Sequence, residues 1–502
     1  MSYMKCSRKE KTSHSRLELG YESPHKASRL SFVPERVGDM VTVFIRFGIL
    51  VCLVASISFA LHSAFAKPDR WFPLPEHIHT VQNNTSVIDS GPTNISHILF
   101  GIGGSANTWH ERSNYSKLWW NPNTTRGFVW LDKKPEILQA DMLVPYQISQ
   151  GWKRFKYVHS ASAVRIARIV YESFKLGLPN VRWFVMGDDD TVFFTKNLVN
   201  VLGKYNHNQM YYIGGSSESV EQDVMHSYDM AFGGGGIAIS YALAAHLAKM
   251  MDGCLSRYFY FYGSDQRVWA CVNEIGVPLT REGGFHQLDI RGNPYGFLAA
   301  HPLVPLVSLH HLDQLNSLFP NQTQIHSLEK LISAYDIDPA RIVQQCFCYD
   351  HKRRWSISIS WGYTIQIYPL LLTAVDLQMP LQTFKTWRSW EDGPFTFNTR
   401  PMSSDPCQKP AMFFLDEFKE VGKTGSITIY KRHEGEGGKC TRTDINNVEV
   451  ERIRVSALKL DPEYWNNVLR RHCCQLLGGG SINNGSMHIR IRKCRPQETI
   501  TI

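Results

Sequence analysis

Two kinds of patterning in this 502-residue chain predict an α/β domain followed by a β-rich one, and an apolar span stands ahead of both. Between about 96 and 330, strand-length apolar runs alternate with stretches of helical period, which argues for a mixed sheet flanked by helices. From about 345 to 502 the period falls to two, as in WSISISW at 355–361.

Taken in order, residues 97–100 and 127–131 read as strands around a candidate helix at 107–120. A longer helical stretch at 160–176 carries Val164, Ile166, Ile169, Val170 and Phe174 at near-helical spacing, and the apolar run 181–186 follows as a strand. Trp109, Trp119 and Trp120 are read as helix packing rather than sugar platforms. A helix at 326–335 should join the two domains. The C-terminal part should be mostly antiparallel, with one polar face on strands such as 355–361, 426–430 and 487–491.

The N-terminal span, 41–66, holds fourteen Val, Ile, Leu and Phe residues against Arg46. At about −0.3 to −0.6 kcal/mol each they outweigh an arginine penalty of about +3 kcal/mol that shrinks near a membrane surface. Lys5, Arg8, Lys9, Lys11, Arg16, Lys26, Arg29 and Arg36 precede it, so a signal anchor is expected, with 1–40 cytosolic and all later residues lumenal. Ala64-Phe65-Ala66 leaves cleavage as the alternative. Residues 67–95, polar and proline-containing, suit a stem. Asn83, Asn84, Asn94, Asn114, Asn123, Asn321 and Asn484 begin glycosylation sequons, all after the span. Nine of the eleven cysteines also follow it; their spacings do not repeat as zinc pairs, and an odd number leaves at least one thiol unpaired or intermolecular. The net charge of +9 is dispersed, without the basic run and interleaved aromatics of a nucleic-acid binder.

Asp188, Asp189 and Asp190 stand where the strand 181–186 stops. Adjacent carboxylates repel and raise one another's pKa, so a cation is expected on them. A divalent metal shared with a substrate's phosphates is the simplest one. Aspartyl-phosphate chemistry would need Thr at 192, where this chain has Val192. Asp-x-Asp in glycosyl transfer turns the first carboxylate, here Asp188, toward the donor ribose and the last, Asp190, toward the metal. Ligands in open α/β sheets sit beyond the carboxyl ends of the strands, where these residues fall. The run Gly233–Gly236 fits a dinucleotide fingerprint poorly and reads better as backbone lying close to donor or acceptor sugar, through Gly234, Gly235 and Gly236.

VMGDDDTVFF at 185–194, AFGGGGIAIS at 231–240, YGSDQRVWAC at 262–271 and LVSLHHLD at 306–313 occur in one order. Together they resemble the fringe-like β1,3-glycosyltransferases of glycosyltransferase family 31. The plant fringe-related branch is the nearest match, through FNTRPM at 397–402 and RRHCCQLL at 470–477. The resemblance spans about 95–480 and implies a GT-A fold with inverting transfer of a hexose or N-acetylhexosamine from a UDP-sugar to a glycan or glycoprotein, forming a β1,3 linkage. It implies Mn²⁺ or Mg²⁺ on Asp188, Asp190 and His310, with His311 the lesser choice, and Asp265 as the base. Asp188, Asp189, Gly103, Arg112 and Asp132 would contact the donor. Ser264 departs from the acidic residue that animal fringe proteins carry before the base, which leaves Asp265 dependent on burial for its basicity. It also implies a type II Golgi membrane protein. The competing expectation is a lumenal glycan-binding protein on an inactive transferase scaffold, and the oligomeric state stays open.

Overall fold

The structure, a computed structural model, describes residues 44–58, 91–135, 143–389, 391–434, 440, 448–467 and 469–501. The chain divides into Met1–Ser86 and Val87–Ile502. In the first unit residues 44–58 form an exposed, largely apolar helix. Among the described residues no helix is long and apolar enough to cross a membrane. The rest of the expected anchor (41–43 and 59–66), the expected tail 1–40, most of the stem, Asn83 and Asn84 lie outside the described residues.

The second unit begins with eleven strands: β1 (Ile98–Gly103), β2 (Arg126–Leu131), β3 (Tyr146–Ile148), β4 (Trp183–Asp188), β5 (Val192–Phe193), β6 (Tyr212–Gly214), β7 (Ile237–Ser240), β8 (Leu279–Arg281), β9 (Phe285–Gln287), β10 (Ile290–Gly292) and β11 (Ser308–His310). Seven of them form a mixed sheet in the order β3-β2-β1-β4-β7-β6-β8. β1 pairs in parallel with both β2 and β4, whereas β7 runs antiparallel to β4 and β6. β1 is buried along its whole length, as a central strand covered on both faces must be. A second, three-stranded sheet, β5-β11-β9, hangs from the end of β4.

The helices Trp109–Lys117 and Gln324–Ile337 match the sequence pattern, and a further helix, Ser264–Ile275, carries Asp265. The long helix expected at 160–176 is instead two, Ala161–Ala167 and Ile169–Lys175, meeting at Arg168. Arg168 is buried there, its guanidinium over the rings of Phe155 and Tyr171 and bonded to Asp252. Trp109, Trp119 and Trp120 are all buried, the last two against Phe100.

The C-terminal strands are β12 (Gln345–Asp350), β13 (Trp355–Ser360), β14 (Thr364–Tyr368), β15 (Phe384–Thr386), β16 (Ala411–Val421), β17 (Gly425–His433), β18 (Arg452–Leu458), β19 (Cys473–Leu476) and β20 (Ser486–Arg492). All but β15 close into a barrel, β12-β13-β14-β16-β17-β18-β20-β19, which leaves no open edge. Its pairs are antiparallel except β18 with β20 and β19 with β12.

One expectation is corrected here. Residues 355–360 alternate as anticipated, but the serine face does not meet water: Ser356, Ser358 and Ser360 are all buried. Their hydroxyls are satisfied by Leu370 O, Gln345 Nε2 and Leu298 O. The covering arises because the helix Tyr295–Ala299 and the chain after β14 pack on this face, something strand period alone cannot register. β17 and β20 do keep an alternating, partly exposed face.

The barrel and the sheets share one continuous core, running from Ile98 and Val185 through Leu318 and Tyr363 to Ile489. A long segment between β14 and β16 returns to the first half, where β15 pairs with β10 and Phe395 bridges Ser219. Disulfides join Cys254–Cys271, Cys348–Cys474, Cys407–Cys440 and Cys473–Cys494. Cys346 is left as a buried free thiol.

Candidate functional site

The carboxyl ends of β1 and β4 come together with Gly103 opposite Asp188. A Cβ on Gly103 would stand 3.4 Å from the Asp188 carboxylate, so glycine keeps that side open. Beyond Asp188 the chain turns tightly. The Asp188 amide donates to Thr191 Oγ1 (2.8 Å), and that hydroxyl donates to Gly234 O (2.7 Å). The turn aims Asp190 at His310, the last residue of β11, because β5 on the far side of the turn pairs with β11.

His310 Nε2 lies 3.1 Å from Asp190 Oδ1 and 3.7 Å from Asp188 Oδ2. His310 and Asp190 are buried, whereas 35% of the Asp188 side chain is exposed. Partial burial pushes the Asp188 carboxyl up; His310 opposes this, and Asp190, Asp189 and Asp265 add to it. Burial would also lower His310, but Asp190 and Asp188 outweigh it and hold the ring above its usual range. Against its own burial, Asp190 is held well below the carboxylate range by His310 and Arg112.

Part of the cation expected on the acidic cluster is protein. Arg112 bonds Asp189 at 2.8 Å and lies 3.5 Å from Asp190 and 3.6 Å from Asp313. Thus Asp189 and Arg112, both expected to contact the donor, are engaged with each other. Asp132 accepts the Ala106 amide at 2.8 Å and fixes the loop after β1.

The glycine run threads between these groups. Gly233 N–H donates to Asp265 Oδ2 (3.3 Å). A Cβ on Gly234 would fall 1.9 Å from the His310 ring, so only glycine fits. Gly235 N–H donates to Gln287 Oε1 (2.7 Å), and Gly236, at φ +100°, turns the chain into β7. The close approach shown here is to the protein's own side chains. Asp265 lies in the first turn of Ser264–Ile275, whose N-cap position is Gly263.

The neighbouring His311 makes different contacts. Its Nδ1 bonds Asp289 Oδ1 at 2.6 Å, and its ring stacks on Trp387 at 4.6 Å and 6°.

The donor set suits a divalent cation. Asp190 Oδ1 is buried and faces His310 Nε2 at 3.1 Å, and Asp188 opens to solvent, so two carboxylates and an imidazole meet at one point. Asp190 and His310 would be the protein ligands, with Asp188 at the mouth. The three do not converge as tightly as Cys473, Cys494 and Glu498, whose ligand atoms lie within 4.8 Å of one another, but those two cysteines are bonded to each other.

A sequence model for the family described as "Protein of unknown function, DUF604" matches residues 222–474, half of the chain. The chain belongs to the DUF604 family. The DUF604 match contains the glycine run, Asp265, His310 and β12–β18 of the barrel, and begins after the three aspartates. No curated protein matches the chain. Among solved structures it is similar to the catalytic domain of Drosophila beta1,4-galactosyltransferase 7 in complex with xylobiose, at 13% identity and a TM-score of 0.23, covering 37% of this chain and 64% of that one. It is also similar to the galactosyltransferase LgtC with donor and acceptor sugar analogues, at 12% identity and TM-score 0.31, covering 46% and 94%. Mouse xyloside xylosyltransferase 1 in its apo form follows at 10%, TM-score 0.27, covering 38% and 85%. These likenesses are distant, and the site of this DUF604 chain stands on its own geometry.

Sequence reasoning missed Gln287, Asp289, Thr191 and Trp387. Only Thr191 had a local signal, its place directly after the aspartates. Gln287 ends β9, Asp289 lies in the short link to β10, and Trp387 comes from the segment after β14; they reach the histidines only in the fold.

Proposed function

We propose that this protein is a metal-dependent inverting glycosyltransferase that moves a hexose or N-acetylhexosamine from a UDP-sugar to a hydroxyl of a glycan or glycoprotein, forming a β1,3 linkage. The observation that supports it best is the pairing, at one rim of the mixed sheet, of the Asp188, Asp190 and His310 group with Asp265. The two are linked through Gly233 and Gly234 and are close enough for Asp265 to raise Asp188.

Asp190 and His310 would hold Mn²⁺ or Mg²⁺, and Asp188 would face the donor. When bound, the cation supplies charge stabilisation at the departing diphosphate, about 4 kcal/mol for one opposed pair at about 4 Å and an effective dielectric of about 20. Asp265 takes the proton from the acceptor hydroxyl as its oxygen bonds the anomeric carbon and the diphosphate oxygen leaves from the opposite side. Gly233 N–H holds one Asp265 oxygen at 3.3 Å and orients it for this transfer.

The apolar span 41–66 would anchor the protein in the Golgi membrane with this site in the lumen. Asn94, Asn114, Asn123, Asn321 and Asn484 are all exposed, as glycan acceptors must be. The test is a panel of UDP-sugars with full-length protein purified from eukaryotic membranes, with Mn²⁺ and with chelator. Donor turnover that disappears with chelator and with Asp190→Asn is expected. Absence of turnover of every donor, or turnover indifferent to both treatments, rejects the reading.

A further inference from the structure

We propose that Gln287 is a positioning residue that keeps His310 Nε2 turned toward Asp190, an inference that rests on the metal-site reading above. The assignment follows from donors and acceptors. A backbone N–H can only donate, so the Gln287 atom 2.7 Å from Gly235 N is the amide oxygen. That oxygen also lies 3.0 Å from His310 Nδ1. Nδ1 therefore carries a hydrogen, and in the neutral ring the lone pair resides on Nε2, the nitrogen that faces Asp190 at 3.1 Å and Asp188 at 3.7 Å.

Gln287 is itself fixed. Its Nε2 donates to Asp289 Oδ1 (3.2 Å), and the Asp289 carboxylate is held by Ser217 Oγ (2.6 Å) and His311 Nδ1 (2.6 Å). With Gly234 against the ring and Gln287 on Nδ1, His310 is held in one orientation before any cation arrives, and Nε2 is the nitrogen left to bind one. Outer partners of a ligating histidine are worth about 10–100-fold in metal affinity.

The test uses two near-isosteric variants of the full-length protein and Mn²⁺ itself, with affinity read by paramagnetic resonance of free Mn²⁺ and thermal midpoints measured alongside. Gln287→Met removes the acceptor and should weaken Mn²⁺ binding about 10–100-fold. Gln287→Glu keeps the acceptor oxygen on His310 but loses the donor to Asp289, so its loss of Mn²⁺ affinity should be smaller than that of Gln287→Met. The proposal is overturned if Gln287→Met binds Mn²⁺ like wild type, or if both variants lose affinity only in step with lost thermal stability. A wild-type protein that binds no Mn²⁺ removes the metal-site reading as well, so the two failures are distinguishable.

Discussion

Two groups of histidines and carboxylates in the second unit differ in exposure and in charge. In one, His310 meets Asp190 and Asp188, and the mouth is open to solvent. In the other, Glu218 bonds His286 Nδ1 at 2.9 Å, His286 Nε2 meets His301 Nε2 at 3.0 Å, and His301 Nδ1 bonds Pro302 O at 2.8 Å. Both ring nitrogens of both histidines are used, and the segment after β14 covers the group through the bond from Thr396 N to Glu218 O. Burial raises Glu218 well above its usual range and lowers both imidazoles, His301 to about 4. The same residue types thus make a charged pocket suited to a cation in one place and a neutral internal relay in the other. Access to solvent and the local surplus of carboxylates decide which.

The largest expected contrast comes from matched substitutions. His310→Gln should lower metal-dependent transfer at least about 10³-fold, the scale of losing charge stabilisation worth about 4 kcal/mol, while the thermal midpoint stays near wild type. His286→Gln should do the reverse, keeping transfer within about threefold but costing about 1–3 kcal/mol of stability through a broken buried hydrogen bond. Equal losses of transfer in both variants, measured at matched folded fractions, would erase the distinction.

A smaller effect is expected from pH. The unfolded chain protonates His301 below about 6.5, whereas the folded protein does so only near pH 4. Over that window the unfolded state binds more protons, so this group's contribution to stability falls as pH drops, by up to about 3 kcal/mol. Denaturant titrations at intervals from pH 7 to pH 4 should show the decline, and His301→Asn should make it shallower, with the part due to His286 remaining. An unchanged slope in the variant would assign the acid sensitivity to other groups.

The smallest effect is predicted at Trp387, which reaches the His311 ring from the segment after β14. Trp387→Ala should weaken Mn²⁺ affinity about threefold, less than Gln287→Met, because it acts on His310 only through its neighbour. Trp387→Phe should restore most of it. If Trp387→Ala exceeded the Gln287 effect, the stack rather than the hydrogen bond would be the main support of His310.

Much of the architecture was readable where a single period persists. β1, β2 and β4 are apolar runs bounded by turn residues, and β17 and β20 alternate cleanly. Asp188, Asp190, His310 and Asp265 were visible through their motifs, and the fold brings the first three together and ties Asp265 to them through Gly233. The kink at Arg168 was not visible, since the apolar spacing runs straight through it. Nor was the burial of Ser356, Ser358 and Ser360, which depends on what packs over β13.

The amino-acid order alone determined the alternation of strands and helices and the change to period two near 345, because these follow from local spacing; it marked the three aspartates as a site for a cation by their chemical type, whereas His310 and Asp265 were singled out only through the family resemblance. Tertiary structure decided which groups meet: it paired Asp189 with Arg112, turned His311 away to Asp289, and placed Gln287 behind His310. Contacts between residues 77 positions apart, as Arg112 and Asp189 are, leave no trace in local spacing. They arise only when a shared core brings separate strands to the same rim.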